Sequence, residues 1–467
     1  PPYTHLPLPF LHSRMHIKYT PGVPREGYVI FGTFKVAVEL HFGQPIHMFE
    51  RGSGDDAFVE PGDIQQGALG NCYYLCALSI LSTHERLLFD ALPDVPASLR
   101  PAVQYDLHAP DDEQVFNQEG VYAMRFWRDG KWRIVVVDDY VPQQEGYVSP
   151  FIFAQPAKGS AEIWCIIAEK AYAKLNSSYS VTAGGNAQFA LEDLCGGVPF
   201  SFPIGDHAGN DGDSDPYCRS KGEASKKKLW DDLLRWRAEG SMLGAAWHNS
   251  SGGDHVKKHG LIGNHAYGII SGFNCKINDG TTVRLVEMRN PHGHGGEWDG
   301  EWSDDDTRSW GTVSAEEQAR LHHVDADDGT FFMRFRDFWS MWQELNVCRV
   351  LMPTPYIQSD WFWWNIFGEW SGASAQGFSS VATVDQFQIE IPERMEIVIT
   401  MAVHSKRVTG ETVRPQATAW KCPRDCPALS LNSPSPSSPL LSMIPHRSAT
   451  QASCCRSSKP MGIRNQW

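Results

Sequence analysis

QQGALGNCYYLCALSILS, residues 65–82, joins a glycine-rich turn to a run of eleven residues that contains no charge. The run is apolar on nearly all sides and is long enough for a helix, so it predicts a buried helix that begins near Cys72. A helix N-terminus carries a partial positive charge, which stabilises a thiolate. The position of Cys72 therefore makes it a candidate nucleophile.

Two later segments supply the residue types that a thiol nucleophile needs. His265 lies in GLIGNHAYGIISG (260–272), and Asn290 lies in VEMRNPHG (286–293). An imidazole on one strand can act as the base toward Cys72, and an amide on the neighbouring strand can hold it in one tautomer. Gln66 is a candidate donor to an oxyanion beside the Cys72 backbone N–H. A lone cysteine that opens an apolar helix is more often a packing residue, so the hypothesis depends on the joint occurrence of all three segments.

The rest of the chain mixes helical and strand patterns. Strands are predicted within 27–49, on both sides of the Asp129-Gly130 turn, and in several short segments from Gly240 onward. Helices are predicted from near Ser160 and over 227–240. Residues 205–225 have the composition of a solvated insertion loop.

Composition excludes several classes of protein. The chain has 467 residues, which suggests two to four domains, and its 42% of hydrophobic residues excludes a wholly disordered chain. A net charge of −14 disfavours nucleic acid as a partner. We find no apolar run that predicts a transmembrane segment and no secretory signal pattern. The eleven scattered cysteines resemble neither a disulfide framework nor a well-spaced zinc site, which predicts a reducing compartment, the cytoplasm.

The segment around Cys72 carries a recognisable motif. Residues 63–75 read DIQQGALGNCYYL, which resembles the nucleophile motif of the calpains, a papain-like thiol protease family named for calcium dependence. The likeness covers about residues 55–350. It continues through WRIVVVDDYVP (132–142), EIWCIIAEKAYAKLNSSY (162–179), GSMLG (240–244), GNHAYGI (263–269), RNPHG (289–293), EWDGEWSD (297–304) and DGTFFMRFRDF (328–338).

The resemblance implies both a fold and a set of roles. It implies an α+β, papain-like, two-lobed cysteine protease core, with a helical lobe and a β lobe on the two sides of a cleft. By position in the matched motifs, Cys72 is the nucleophile, His265 the general base and acid, Asn290 the residue that orients His265, and Gln66 the oxyanion donor.

The same resemblance divides the chain into five regions. We expect a strand-rich N-terminal region over 1–54, the lobe with the cysteine over 55–200 and the lobe with the histidine and asparagine over 201–352. A partial β-sandwich is expected over 353–410. The Ser/Pro-rich tail over 411–467 is expected to be disordered.

Three departures from the family pattern bear on efficiency. The family usually has tryptophan after the Asn-Pro pair, where an indole shields the bond between asparagine and histidine from water, and this chain has His292. Tyr73 stands where tryptophan usually follows the nucleophile. The insertion HGHGG (292–296) lengthens the loop after Asn290.

Calcium is the cofactor that the resemblance implies. DGDSDP (211–216) fails as an EF-hand, because Pro216 replaces the required glycine and no glutamate ends the loop. Calpains bind two calcium ions in the protease core through other loops. Thr330 falls where the second loop usually has glutamate, so we expect that site to be weaker. The carboxylates that match the family's ligands are Asp63 and Glu162 in the first site and Glu297, Asp304 and Asp328 in the second.

Two functions from different classes remain open. The first is a calcium-regulated intracellular endopeptidase that takes protein substrates through an acyl-enzyme, which the complete set of four active-site residues favours. The second is a calpain-like scaffold or regulatory protein with weak or no proteolysis, which His292 and Thr330 favour. A thiol-dependent transferase such as a transglutaminase is a distant third, and the sequence identifies no regulatory partner.

Overall fold

The computed structural model describes a two-lobed core between residues 48 and 351, with gaps, together with one strand before it and seven strands after it. The described residues are 33–36, 48–49, 59–88, 121–143, 151–160, 162–205, 216–217, 222–248, 257–351, 364–367, 387–389, 396–402, 416–421, 429–431, 440–446 and 463–465. Most of the predicted N-terminal region and of the predicted loop 205–225 therefore lies outside the described residues.

The first lobe, here called the Cys lobe, comprises the described residues from 48 to 197 and is mainly helical. Its helices are α1 (Cys72–Ser82), α2 (Glu85–Leu88), α3 (Trp164–Leu175) and α4 (Ala187–Cys195). Its strands are β2 (Val121–Arg128), β3 (Lys131–Asp138) and β4 (Tyr140–Gln143). The N-terminal strand β1 (Thr33–Val36) pairs with β4.

Helix α1 is the centre of the Cys lobe, as its apolar sequence predicts. Ten of its eleven residues are buried, and Cys72 is the exception. The predicted hairpin is also present, because β2 pairs antiparallel with β3 and the turn between them is Asp129-Gly130. Both turn residues have positive φ, 54° and 69°, which is the backbone form that two-residue hairpins require. The predicted helix near Ser160 begins later, at Trp164.

The second lobe, here called the His lobe, comprises the described residues from 198 to 351 and is built on one antiparallel sheet. Its sheet strands are β5 (Val198–Pro203), β6 (Met242–Trp247), β9 (His265–Lys276), β10 (Thr282–Arg289), β11 (Thr330–Arg334) and β12 (Glu344–Arg349). They are ordered β11-β10-β9-β6-β12-β5. The short strands β7 (Lys257–Lys258) and β8 (Leu261–Ile262) form a separate pair, and the helices are α5 (Glu223–Ala238), α6 (Thr307–Trp310), α7 (Ala315–Leu321) and α8 (Phe335–Met341).

The two lobes meet where helix α1 crosses the sheet. Ile80 of α1 lies against Gly268 of β9 and Gly244 of β6, and a Cβ added at Gly268 would come within 3.0 Å of the Ile80 side chain. The small residues on the sheet therefore admit the helix closely. This contact sets the helix that begins at Cys72 against the strand that begins at His265.

The edge of the His lobe lies slightly before the predicted boundary at residue 200. Strand β5 pairs antiparallel with β12, and Val198 lies opposite Arg349. The first and last strands of the lobe are thus neighbours.

Strands also occur beyond the protease core. They are β13 (Trp364–Phe367), β14 (Phe387–Ile389), β15 (Glu396–Ala402), β16 (Gln416–Lys421), β17 (Leu429–Leu431), β18 (Leu440–His446) and β19 (Ile463–Asn465). One sheet has the order β13-β18-β15-β16 and another has the order β17-β14-β19.

Three of these strands lie within 353–410, the expected partial β-sandwich, and four lie within 411–467, the expected tail. Strand β18 pairs along its whole length with β15, so a segment of the predicted tail completes a sheet of the preceding region. Within the described residues, no helix has the length and apolar character that a membrane crossing requires.

Candidate active site

Cys72 is the first residue of α1 and directly follows the turn formed by residues 67–71. Of the six cysteines that the structure describes, it alone is not buried. Its place at the helix N-terminus puts the sulfur at the positive end of the helix dipole. A partly exposed cysteine at such a position has both the access and the electrostatic support that a nucleophile needs.

His265 is the first residue of β9, Asn290 directly follows the neighbouring strand β10, and their side chains are hydrogen-bonded. The distance between His265 Nε2 and Asn290 Oδ1 is 2.8 Å. The Asn290 Nδ2 group donates to the carbonyl oxygen of Gly295, so Oδ1 is the acceptor side of the amide. His265 Nε2 must therefore carry the proton, which leaves Nδ1 as the basic nitrogen.

His265 is buried, and the pKa of its imidazole is lowered to about 3. Burial is the main cause, the charge of His292 adds to it, and the bond to Asn290 opposes it. The ring of His292 lies on that of His265, with 4.3 Å between ring centroids and 30° between planes. His292 thus covers the position at which the family's indole is expected, but with a ring that can itself become charged.

Tyr267 packs against the histidine. Its ring meets that of His265 edge to face, 5.0 Å between centroids, and its hydroxyl donates to the Gly296 carbonyl oxygen at 2.9 Å. Burial raises the pKa of Tyr267, and the charge of Cys72 raises it further. The charge of Cys72 thus acts on a ring that lies in contact with His265.

Gln66 lies in the turn before Cys72, as the oxyanion hypothesis requires. Its Nε2 donates to the carbonyl oxygen of Leu69 at 2.8 Å, and its backbone N–H donates to the carbonyl oxygen of Pro291 at 2.9 Å. The amide nitrogen has a second hydrogen beyond the one used on Leu69. The bond to Pro291, which follows Asn290, also joins the nucleophile turn to the His lobe.

The first pair of predicted calcium ligands lies in the Cys lobe. Glu162 is buried, and Ser160 Oγ donates to its Oε2 at 3.3 Å. Burial raises the pKa of Asp63 to about 7, against the hydrogen bond from the Glu60 backbone N–H, which lowers it. The Cys165 thiol of α3 donates to the Asp63 carbonyl oxygen at 3.8 Å, and the charges of Asp63 and Glu162 add to the effect of burial in raising the pKa of Cys165.

The second set of predicted calcium ligands lies beside the sheet of the His lobe, and its negative charge suits a cation. The pKa of Asp304 is raised to about 8 by burial, with contributions from Glu297 and Asp328. Its Oδ2 is buried without a hydrogen-bond partner. Such an oxygen among like charges is stabilised by a bound cation. The convergence is incomplete, since no group of three or more potential metal ligands closes around one point within the part of the chain that the structure describes.

Two buried charged residues near the site were not identified from the sequence. Arg289 of β10 donates to Thr330 Oγ1 at 3.1 Å and to the Gly62 and Ile64 carbonyl oxygens at 3.4 Å. Glu169 of α3 accepts from Asn71, the residue before Cys72. In the sequence, Arg289 and Glu169 each stand as a charged residue within an apolar pattern. That isolated charge is the signal that could have identified them.

Comparisons with known proteins agree with this geometry. The sequence model of the family described as calpain family cysteine protease matches residues 48–349. Calpain-type cysteine protease DEK1 of Arabidopsis thaliana is 31% identical, over 76% of this chain and 15% of its own length. In Mus musculus, Calpain-9 is 30% identical over 72% of this chain and 44% of its own length, and Calpain-2 catalytic subunit is 30% identical over 68% and 40%. The chain thus spans less than half of each of these relatives, and it belongs to the calpain family of cysteine proteases.

Proposed function

We propose that this chain is a calcium-regulated cysteine endopeptidase that cleaves proteins through an acyl-enzyme. The observation that carries the proposal is the bond between His265 Nε2 and Asn290 Oδ1, which leaves Nδ1 free of that bond and basic. The placement of Cys72 at the start of α1 supports it.

In the proposed reaction, His265 Nδ1 takes the Cys72 thiol proton as the sulfur attacks the substrate carbonyl carbon. The low pKa of His265 keeps the imidazole neutral before the reaction, so it begins as a base. The oxyanion accepts from the Cys72 backbone N–H and from Gln66 Nε2. The intermediate then expels the amine, which takes its proton from His265, and water hydrolyses the thioester by the same transfers in reverse roles.

Calcium is proposed as the regulator, because the calpain family is calcium-regulated. Asp63 and Glu162 would hold one ion, and Glu297, Asp304 and Asp328 would hold the second. A bound ion supplies positive charge that offsets the clustered carboxylates. The buried, unpartnered Oδ2 of Asp304 supports the second site.

A scaffold or regulatory role is the second candidate function. The stacking of His292 on His265 favours it, because a charge on His292 opposes the imidazolium that forms when His265 accepts a proton. We propose the cytoplasm as the location, supported by the six free cysteines among the described residues.

The test is labelling of Cys72 by an epoxide thiol inhibitor, with and without calcium, read by mass spectrometry beside hydrolysis of a peptide substrate. We expect calcium-stimulated labelling of Cys72 together with hydrolysis. Absence of both in the purified wild-type chain would contradict the endopeptidase and leave the scaffold. Equal labelling in chelator and in calcium would contradict the calcium dependence alone.

A further inference from the structure

The turn that carries the nucleophile is held by a second backbone segment, residues 151–155. Gln65 and Gln155 exchange two backbone hydrogen bonds of 2.9 and 2.8 Å, and Ala68 N donates to the carbonyl oxygen of Ile152 at 2.7 Å. The contact is so close that a Cβ at Gly67 would come within 2.0 Å of the Phe153 carbonyl oxygen. The positions of the Cys72 N–H and the Gln66 amide therefore depend on how this segment holds the turn.

One carboxylate joins the two segments. Glu169 of α3 accepts from Asn71 Nδ2 at Oε1, 2.7 Å, and from the Ala154 backbone N–H at Oε2, 2.9 Å. Glu169 is 2% exposed and Asn71 is 1% exposed. Asn71 is the residue before Cys72, and its own Oδ1 is buried without a hydrogen-bond partner. One oxygen of Glu169 thus holds the nucleophile turn, and the other holds the segment that supports this turn.

The surroundings of Glu169 contain no compensating positive charge in the interactions that the described residues make. The titratable groups that its charge reaches are Tyr74 of α1, Tyr179 after α3 and Cys165 of its own helix. Burial raises the pKa of all three, so they are neutral at physiological pH. Burial also raises the pKa of Glu169 to about 7, against the effect of its two hydrogen bonds. A buried carboxylate held by neutral donors alone is costly for stability, which points to a role in positioning.

We propose that Glu169 is a positioning residue whose ionised carboxylate fixes Asn71 and Ala154 and thereby aligns the Cys72 N–H with the Gln66 amide. The proposal rests on the endopeptidase function proposed above. It assigns Glu169 no contact with substrate. Because an aligned oxyanion site acts on the transition state, losing the alignment lowers kcat and leaves KM largely unchanged.

The test compares Glu169→Met, Glu169→Gln and the control Asp193→Asn. Methionine matches the length of glutamate but leaves both N–H groups without an acceptor, and we expect kcat to fall about 10- to 100-fold with KM within about twofold. Glutamine keeps one acceptor and can donate to the unused Asn71 Oδ1, so it should restore kcat to within about fivefold of wild type. Asp193 is a buried carboxylate of the same lobe, and its hydrogen bonds from Arg128 and Tyr172 come from β2 and α3 rather than from the nucleophile turn. Its variant should lose thermal stability and keep its kcat.

The pH profile supplies a readout that a purely structural role does not move. Below pH 7 the protonated Glu169 resembles glutamine, so wild-type kcat should fall through an inflection near pH 7 toward the level of Glu169→Gln. That variant should show no inflection there. All other titrating groups are the same in the two proteins, so the difference between their profiles isolates Glu169.

Iodoacetamide alkylation of Cys72 separates this proposal from the proposed function. If wild type hydrolyses no peptide, the endopeptidase fails, yet slower alkylation of Cys72 in Glu169→Met than in Asp193→Asn would still support Glu169 as a positioning residue. Wild-type kcat and alkylation rate in a folded Glu169→Met would overturn the proposal. So would an unchanged inflection in Glu169→Gln, which remains a usable test if the methionine variant does not fold.

Discussion

The amide of Asn290 decides which nitrogen of His265 is basic. Its Nδ2 is engaged with the Gly295 carbonyl oxygen, and its Oδ1 also accepts from the His292 backbone N–H at 3.1 Å. An amide fixed at both ends cannot turn over to offer its nitrogen to the imidazole. At the scale of single residues, the tautomer of His265 is thus set by the backbone of the loop that follows β10.

Loss of either reacting side chain should remove hydrolysis. We expect Cys72→Ala and His265→Ala each to lower kcat/KM by about 1,000-fold or more, since the two act as one unit. Thermal unfolding should show an intact fold in both. Cys76→Ala, one turn further along α1, is the control and should stay active. Near wild-type hydrolysis by purified Cys72→Ala would contradict the proposed mechanism.

The residue that covers His265 should tune both rate and pH dependence. In His292→Trp an uncharged indole replaces a ring whose charge lowers the pKa of His265, so that pKa should rise. We expect kcat/KM to increase about 10-fold, equivalent to ~1.4 kcal/mol, with the acid limb of the pH profile shifted upward. His294→Trp, at an exposed position of the same loop, should change neither. An unchanged or lower rate in His292→Trp would show that the loop is adapted to histidine.

At the scale of elements, the close approach of residues 67–71 to residues 151–155 is what holds the start of α1. This close approach requires glycine at position 67. An added Cβ at Gly67 meets backbone atoms, which cannot move aside as a flexible side chain can. Gly70, three residues later, has nothing within 4 Å of an added Cβ. The two glycines of one turn thus have different steric surroundings.

Gly67→Ala should therefore destabilise the protein, and Gly70→Ala should not. We expect a loss of about 1–3 kcal/mol for Gly67→Ala from the forced shift of the turn, together with a fall in kcat as Gln66 and Cys72 move. The measurements are urea unfolding and peptide hydrolysis on both variants. Equal stability of the two would contradict the assigned contact.

At this scale the sequence predicted structure that depends on neighbouring residues. It missed contacts between residues that are far apart in the sequence. The α1 run and the Asp129-Gly130 hairpin are specified by neighbouring residues, and both are present. The bond between Glu169 and Asn71 joins residues 98 positions apart, and no periodicity encodes that separation. The candidate catalytic residues were predicted from residue types and from family motifs, whereas the positions of Glu169 and Arg289 required the packing of the lobes.

At the scale of the whole molecule, Arg289 connects the lobes. It reaches from β10 to two carbonyl oxygens of the Cys lobe, Gly62 and Ile64, and to Thr330 beside the second set of carboxylates. A change at those carboxylates can therefore affect both lobes through the side chain of Arg289. A ligand acts on such an arrangement through its differential affinity for the closed form.

The calcium response should depend on both lobes. We expect peptide hydrolysis to require calcium, Thr330→Glu to lower the calcium concentration for half-maximal activity, and Glu162→Ala to raise it or abolish activity. Calcium should also raise the melting temperature, because a ligand that binds the folded state stabilises it. Full activity in chelator with no thermal shift would contradict the proposal. An unchanged midpoint in Thr330→Glu would show that the introduced carboxylate pairs with Arg289 instead.

The pairing of β5 with β12 has a consequence for the ancestry and engineering of the chain. Val198 and Arg349 lie opposite each other, about 4.5–5.5 Å apart as neighbours in an antiparallel ladder. The chain therefore enters and leaves the His lobe at the same place in the structure. Residues 198–349 are in this sense a cassette whose two ends touch. Such a cassette can be exchanged between relatives, because its two junctions with the rest of the chain lie side by side. New termini can also be opened in one of its distant loops, once a short linker joins residues 198 and 349.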